Sequence, residues 1–349
     1  VKILYVSQLA SFDSAWYRVL ALRREGHEVE TVNTLDYTQS NPLLQKLEFR
    51  LAFGPGVHRL NRDILAAADR FRPDILWADK ALWMQPATLH RLRSKGILSV
   101  SYMIDNYFGP RGDPGWRLYA KTLPGYDLHC TQRDTNVRDY LTAGARNVIK
   151  IQTAYEPTVH FPPPESWSES DRDRDISFVG TPYDERPAFL TRLAKEGNLE
   201  VHINGGLVWK APLEAAGGLA LYRGNGELRN ADYREAIWRS RVNLSFLTHS
   251  NQDEFVHKSF EIAACGGFLL AERSQGHLDR FREDEEAVFF TGFDECLAKI
   301  RQYLPDPAAR ERIARAGRQR ALTSGYDNDT QVRKIIERLG QIAATRGAA

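Results

Sequence analysis

The sequence predicts an α/β protein of two Rossmann-like domains, each a doubly wound parallel sheet, facing a cleft. Three observations carry this. From Lys2 to Ile151 short apolar runs alternate with amphipathic helical stretches, the pattern of a parallel sheet covered on both faces. The alternation then breaks at Pro162-Pro163-Pro164 and the polar run 165–170, and restarts at Ile176. The length of 349 residues suits two domains at about 100–200 residues each.

In chain order, Lys2–Ser7 reads as a strand, and Asp13 or Ser14 can cap a helix with Ala15, Val19 and Leu22 at helical spacing. Gly26-His27 stops it, and Glu28–Val32 is a second strand. A basic amphipathic stretch from Pro42 to Arg72 leads to strand Asp74–Trp77, a helix from Pro86 to Lys95 and strand Ile97–Ile104. Asp127–Thr131, Asn136–Thr142 and Val148–Ile151 read as strand, helix and strand. After the break come strand Ile176–Val179, helix Pro187–Lys195, strand Leu199–Ile203, a helix capped by Asp232, and strand Val242–Phe246. Helix Lys258–Ala264, strands Phe268–Ala271 and Ala287–Phe290, and a helix opened by Asp306-Pro307 follow. The expected boundaries are 1–160 for the first domain, 161–175 for the linker and 176–326 for the second domain. A terminal helix in 327–349 packs back on the first domain, with Val332, Ile335, Ile336, Leu339 and Ile342 on one face.

Composition narrows the function. Forty-seven basic and 45 acidic residues leave a net charge of +2, so no global field draws the chain to nucleic acid. The longest apolar run, Ile262 to Ala271, is ten residues, where a bilayer span needs about 20. The opening strand lacks a signal-peptide layout. Cys130, Cys265 and Cys296 form no CxxC pair, which fits a reducing compartment and argues against structural zinc. A cytoplasmic protein is expected. The loop after the first strand, residues 7–13, contains no glycine, so the dinucleotide turn is missing there, as is any P-loop.

The informative stretch runs from Asn251 to Leu270: a polar loop, a short helix, Gly266-Gly267 and a buried strand. Lys258 at the helix start combines a cation with free backbone N–H groups, a natural phosphate site, and His257 and Ser259 flank it. Glu261, three residues on, shares its face and can accept hydrogen bonds from both hydroxyls of a ribose. Taken alone, a capped helix with a surface Lys–Glu pair explains this equally well. Gly180-Thr181 closes strand Ile176–Val179, and Arg186-Pro187 opens the next helix, the place where doubly wound sheets bind ligands. Arg186 can clamp a phosphate there. Gly205-Gly206 forms a comparable turn after the following strand.

These elements, in this order, resemble the nucleotide-binding half of the group 1 glycosyltransferases of GT-B fold, nearest to the spore-maturation-type branch. That branch carries an acid, seven intervening positions and a glutamate before a small-residue run. Asp253 and Glu261 have this spacing, with Glu254 as the alternative first acid, and Lys258 stands where an arginine is usual. Phe260-Glu261, Ala264-Cys265-Gly266, the run Ile176 to Gly180, and Arg186 match as well. In the first half, Arg18, Gly26-His27-Glu28-Val29, the run Pro73 to Trp77 and the run Tyr102 to Asn106 resemble the family's acceptor domain.

The resemblance implies sugar transfer from a nucleotide diphosphate sugar, UDP-sugar foremost, to a glycan, lipid-linked or other hydroxyl acceptor. It implies no metal and no further cofactor. An inverting reaction would need a base from the first domain; Asp105 and then Asp13 are the candidates, against plainer roles as loop hydrogen bonder and helix cap. The Asp171–Asp175 run has D-x-D spacing but precedes its strand, so it reads as solvated or capping, as does the run 327–329. Residues 43–72 combine Lys46, Arg50, Arg59 and Arg62 with Leu43, Leu44, Leu47, Phe49 and Phe53. Two helices covering the first sheet is the favoured reading, and peripheral contact with the inner face of a membrane is the other. A nucleotide-sugar epimerase or hydrolase, and a non-catalytic nucleotide- or sugar-binding module, are the competing functions.

Overall fold

The computed structural model describes residues 1–10, 13–110, 112, 115–224 and 226–347. The chain divides into two compact units, residues 1–152 with 328–349, and residues 153–327.

In the first unit, β1 (Lys2–Ser7), β2 (Glu28–Asn33), β3 (Ile75–Asp79), β4 (Leu98–Tyr102), β5 (Leu128–Thr131) and β6 (Val148–Lys150) form one parallel sheet in the order β2-β1-β3-β4-β5-β6. Helices α1 (Ser14–Arg24), α2 (Pro42–Leu51), α3 (Pro55–Phe71), α4 (Pro86–Ser94), α5 (Trp116–Thr122) and α6 (Asp134–Thr142) connect them. Alternate residues of β1 serve opposite cores. Leu4 and Val6 meet Val57, Leu60 and Ile64, while Ile3 and Tyr5 meet Val19 and Leu22. Burial on both faces is why such a strand reads as an unbroken apolar run.

The basic stretch 42–72 resolves into α2 and α3, with Ala52 in the left-handed region at φ 49° between them. Glu48 Oε1 accepts from the amides of Gly56 (2.6 Å) and Val57 (3.2 Å), capping α3. The two helices differ in role. Helix α3 buries Val57, Leu60 and Ile64, whereas α2 leaves Leu43, Leu44 and Leu47 exposed at 78%, 54% and 54%.

In the second unit, β7 (Arg174–Val179), β8 (Val201–Asn204), β9 (Ser240–Ser245), β10 (Leu269–Glu272) and β11 (Val288–Phe290) form a parallel sheet ordered β11-β10-β9-β7-β8. Its helices are α7 (Arg186–Gly197), α8 (Lys210–Ala215), α9 (Asn230–Trp238), α10 (His257–Ala264), α11 (Gln275–Leu278), α12 (Phe293–Tyr303) and α13 (Pro307–Thr323). The chain runs from β7 outward to β8, then returns to β9 on the other side of β7. That reversal opens a crevice at the carboxyl ends of β7 and β9, where such sheets bind ligands.

The structure departs from the sequence reading in several places. No element is expected between Phe290 and Asp306, yet α12 fills it, with Asp294 and Glu295 in its first turn and Cys296, Leu297 and Ile300 buried. Helix α9 starts two residues before Asp232, so Asp232 lies in its first turn and not at its cap. The segment expected as a linker is part of the second unit, because its aromatic and charged residues find partners there. Trp238 Nε1 donates to Phe161 O (2.9 Å), Arg172 Nη1 to Trp238 O (2.6 Å), and Arg241 and Arg310 pair with Glu169. The final helix, α14 (Asn328–Gly347), belongs to the first unit. It packs on α1 through Arg24–Asp329 (2.6 Å) and Arg333–Glu25 (2.7 Å), and buries Val332, Ile335 and Leu339. Among the described residues no helix is long and apolar enough to cross a membrane.

Candidate functional site

Helix α10 begins at the crevice. Its N-cap residue is Val256, whose side chain offers no capping bond, so the helix start keeps its positive end toward whatever the crevice holds. The ends of β7 and β8 close around it. A Cβ on Gly180 would lie 3.4 Å from Lys258 Cε, and a Cβ on Gly205 would lie 2.1 Å from Gly180 O. Trp209 Nε1 donates to Gly180 O at 2.6 Å, which fixes the turn after β7. Gly205 therefore has no alternative, and Gly180 keeps the backbone beside Lys258 thin.

Lys258 is half-buried, its ammonium 5.8 Å from the Phe178 ring centroid and 5.2 Å from that of Tyr233. Burial pulls its pKa down to about 8; the Glu261 carboxylate opposes this, and the Arg186 charge adds to it. Glu261 follows one turn later. Tyr233 Oη donates to its Oε2 (2.7 Å), and His160 Nε2 lies 4.0 Å from its Oε1. Burial acts to raise the Glu261 pKa, but His160, Lys258, His257 and the Tyr233 hydroxyl outweigh it and leave the pKa below the ordinary value. The Glu156 amide donates to His160 Nδ1 (2.9 Å), so a neutral ring carries its proton on Nε2, toward Glu261. Burial lowers the His160 pKa, which favours that neutral ring. Neither Tyr233 nor His160 stands out in the sequence, since each gains meaning only from a partner far along the chain.

Other expected donor residues have different surroundings. Arg186, read as a phosphate clamp, is 7% exposed and directs its guanidinium to main-chain carbonyls. It donates to Thr181 O (3.0 Å), Leu247 O (3.0 Å) and Thr248 Oγ1 (3.1 Å), tying the loop after β7 to the loop after β9. A buried arginine needs acceptors; these loops supply them to Nη1 and Nη2, and Nε has none among the described residues. Ser259 is fully buried; its hydroxyl bonds Ser245 Oγ (3.0 Å) and His277 Nε2 (2.9 Å), away from the helix start. Asp253 accepts from Asn251 Nδ2 (2.8 Å), and the Glu254 carbonyl accepts from Ser274 Oγ (2.5 Å), so this loop is pinned at both acids. Thr181 is exposed, Gly206 and His257 are half-buried, and His257 is the first residue of α10. Asp171 accepts from the Ser168 amide (2.8 Å), and Asp175 pairs with Arg241 (2.7 Å), which accounts for the D-x-D run.

In the first unit, Asp105 pairs with Lys80 (2.9 Å) just past β4. Asp13 occupies the N-cap position of α1 without a side-chain capping bond. With Ser7, Arg18, Asp79 and Lys80 it lines a cavity of about 410 Å³. The floor is rigid: Arg18 and Asp79 form a buried pair (2.6 Å), and Tyr5 Oη donates to Asp79 (2.5 Å).

Two parallel-sheet α/β domains with this strand order define a protein of the GT-B fold, and residues 186–337 match the family model described as glycosyl transferase-like. Similar solved structures span the whole chain. Sucrose-phosphate synthase from Thermosynechococcus elongatus superposes with a TM-score of 0.72 at 13% identity, covering 99% of this chain and 100% of its own. Anabaena Alr3699/HepE in complex with UDP-glucose gives 0.68 at 14% identity, with 97% and 99% covered. A trehalose-6-phosphate synthase of E. coli bound with UDP-2-fluoro glucose gives 0.67 at 14% identity, with 98% and 99% covered. No curated protein sequence matches the chain.

Proposed function

We propose that the protein transfers a hexose from a UDP-sugar to a hydroxyl of a glycan or lipid-linked acceptor, without a metal. One observation carries the reading: Lys258 and Glu261 stand one turn apart at the uncapped start of α10, in the crevice where the strand order reverses. The diphosphate sits against the Lys258 ammonium and the first amides of α10, with Gly180 and Gly205 allowing its close approach. Charge that develops on the departing diphosphate meets a cation and a helix end already in place, so little reorganisation is needed. Glu261, held as a carboxylate and oriented by Tyr233, accepts the ribose hydroxyls. Complexes of Alr3699/HepE with UDP-glucose and of a S. aureus TarM mutant with UDP and alpha-GlcNAc-glycerol support the donor class and a hydroxyl acceptor. The spacing from Asp253 to Glu261 supports kinship with the spore-maturation-type branch.

On the acceptor side, Asp13 faces the first unit's cavity, and Asp105 is kept in place by Lys80; these two carboxylates are the proposed bases. The exposed leucines of α2, with Lys46 and Arg50 on the same helix, suit contact with an anionic membrane at the cytoplasmic face, which gives access to a lipid-linked acceptor.

A thermal-shift panel of nucleoside diphosphates tests the donor site. A ligand at a hundredfold excess over its Kd stabilises the native state by about 2.7 kcal/mol. UDP is expected to give such a shift in the wild type, and Glu261→Ala to lose most of it. Equal shifts in both proteins refute the site. Release of UDP from a UDP-sugar only when an acceptor is added separates a transferase from a hydrolase or epimerase, and no release at all indicates a binding module.

A further inference from the structure

The second unit has a cavity of about 350 Å³ at the opposite ends of the strands from Lys258. Gly266 and Phe268, between α10 and β10, form part of its wall, and Arg241 enters it from the start of β9. Five guanidinium groups line it: Arg172, Arg241, Arg310, Arg315 and Arg318. Only two carboxylates line it with them, Glu169 and Glu311.

The existing pairings do not balance these charges. Glu169 alone receives Arg172 (3.4 Å), Arg241 (3.1 Å) and Arg310, while Glu311 is held by Arg315 (2.5 Å). Arg241 also reaches Asp175 (2.7 Å). That leaves Arg318 without a carboxylate among the residues lining the cavity. Two donors in the same wall, Trp167 Nε1 and Arg318 Nε, are buried and have no acceptor. Buried N–H groups are almost always paired, so these two donors lack acceptors, beside guanidinium groups that outnumber the carboxylates. Burial lowers the basicity of Arg172 and Arg310, and neighbouring guanidinium charges lower it further, so an anion would relieve the crowding.

We propose that this cavity binds a small molecule bearing a phosphate or diphosphate group, separately from the donor site. Guanidinium forks match phosphate oxygens in pairs, and the cavity volume lies in the range of small-molecule pockets, about 300–1,000 Å³. The anion takes the Arg318 and Trp167 donors and shares the guanidiniums now crowded on Glu169.

Inorganic pyrophosphate is the probe, titrated calorimetrically into the full chain. Because the donor site also accepts a diphosphate, Lys258→Met serves as the reference protein. In that background a saturable binding event is expected to remain. Adding Arg318→Met is expected to weaken it about tenfold or more, and adding Trp167→Phe about fivefold, from the loss of one charged and one neutral hydrogen bond. Arg318→Met in the otherwise native chain leaves UDP affinity unchanged. The proposal is overturned if Lys258→Met abolishes pyrophosphate binding, or if both cavity variants bind as the reference does. Should Arg318→Met fail to fold, unaltered binding by the Trp167→Phe variant overturns it alone. Absence of UDP binding with retained pyrophosphate binding would refute the donor-site reading and leave this one intact.

Discussion

Raising the pH from 7 to 9 should weaken UDP binding through a single side chain. Burial brings the Lys258 ammonium to about 8, so it is about nine-tenths protonated at pH 7 and one-tenth at pH 9. If the charged form is the one that binds the diphosphate, the apparent Kd rises about tenfold over this range, about 1.4 kcal/mol. The sign for the ligand-free protein is opposite. The unfolded chain keeps this proton up to the ordinary value of 10.5, whereas the native state gives it up near 8. Between those values the unfolded state binds more protons, so this lysine makes stability rise with pH; below 8 its contribution is flat. Calorimetric titration of UDP at pH 7, 8 and 9, with matched melting curves of the free protein, reads both effects. Lys258→Met is expected to bind UDP weakly at every pH and to lose the alkaline gain in stability relative to wild type. A wild-type affinity that does not change from pH 7 to 9, or a decline of the same size in Lys258→Met, would refute the reasoning.

Two further outcomes follow from packing. Gly205→Ala places a Cβ 2.1 Å from Gly180 O and 2.6 Å from Trp209 Nε1, so it should destabilise the second unit by about 1–3 kcal/mol; an unchanged urea midpoint would contradict this. Leu43→Ser with Leu47→Ser should leave the urea midpoint nearly unchanged, because both leucines are more than half exposed. The same pair should abolish sedimentation with vesicles rich in anionic lipid, and equal partitioning of wild type and variant would remove α2 as a membrane contact.

How much of this was legible in the sequence depended on whether the controlling interaction was local. Strands such as β1 and β7 announce themselves because burial on both faces demands continuous apolar side chains. Helix α10 is equally plain, since Gly266-Gly267 stops it and the run around Lys258 and Glu261 is contiguous. Asp306-Pro307 opens α13 as read, with Asp306 Oδ1 accepting from the Ala309 amide (2.9 Å). Helix α12 carries a local signal of its own, acids after Gly292 and apolar residues at Leu297 and Ile300. Tyr233 and His160 carried none, because the sequence does not show which side chains a fold will bring against Glu261. Arg186 illustrates the converse. Its position after β7 suggests an anion clamp, and only the folded loops show that its Nη1 and Nη2 reach the carbonyls of Thr181 and Leu247, while its Nε has no acceptor among the described residues.

Helix α14 also governs the order in which the protein can assemble. The face of the first sheet formed by Ile3, Tyr5, Trp77 and Val100 is sealed by Val332, Ile335 and Leu339, which are translated only after the whole of residues 153–327. At ribosomal speeds of about 5–20 residues per second, that face waits roughly 10 to 35 s for its cover. Residues 153–327 can mature before that face is covered, and the nascent chain offers chaperones a defined greasy surface until α14 emerges.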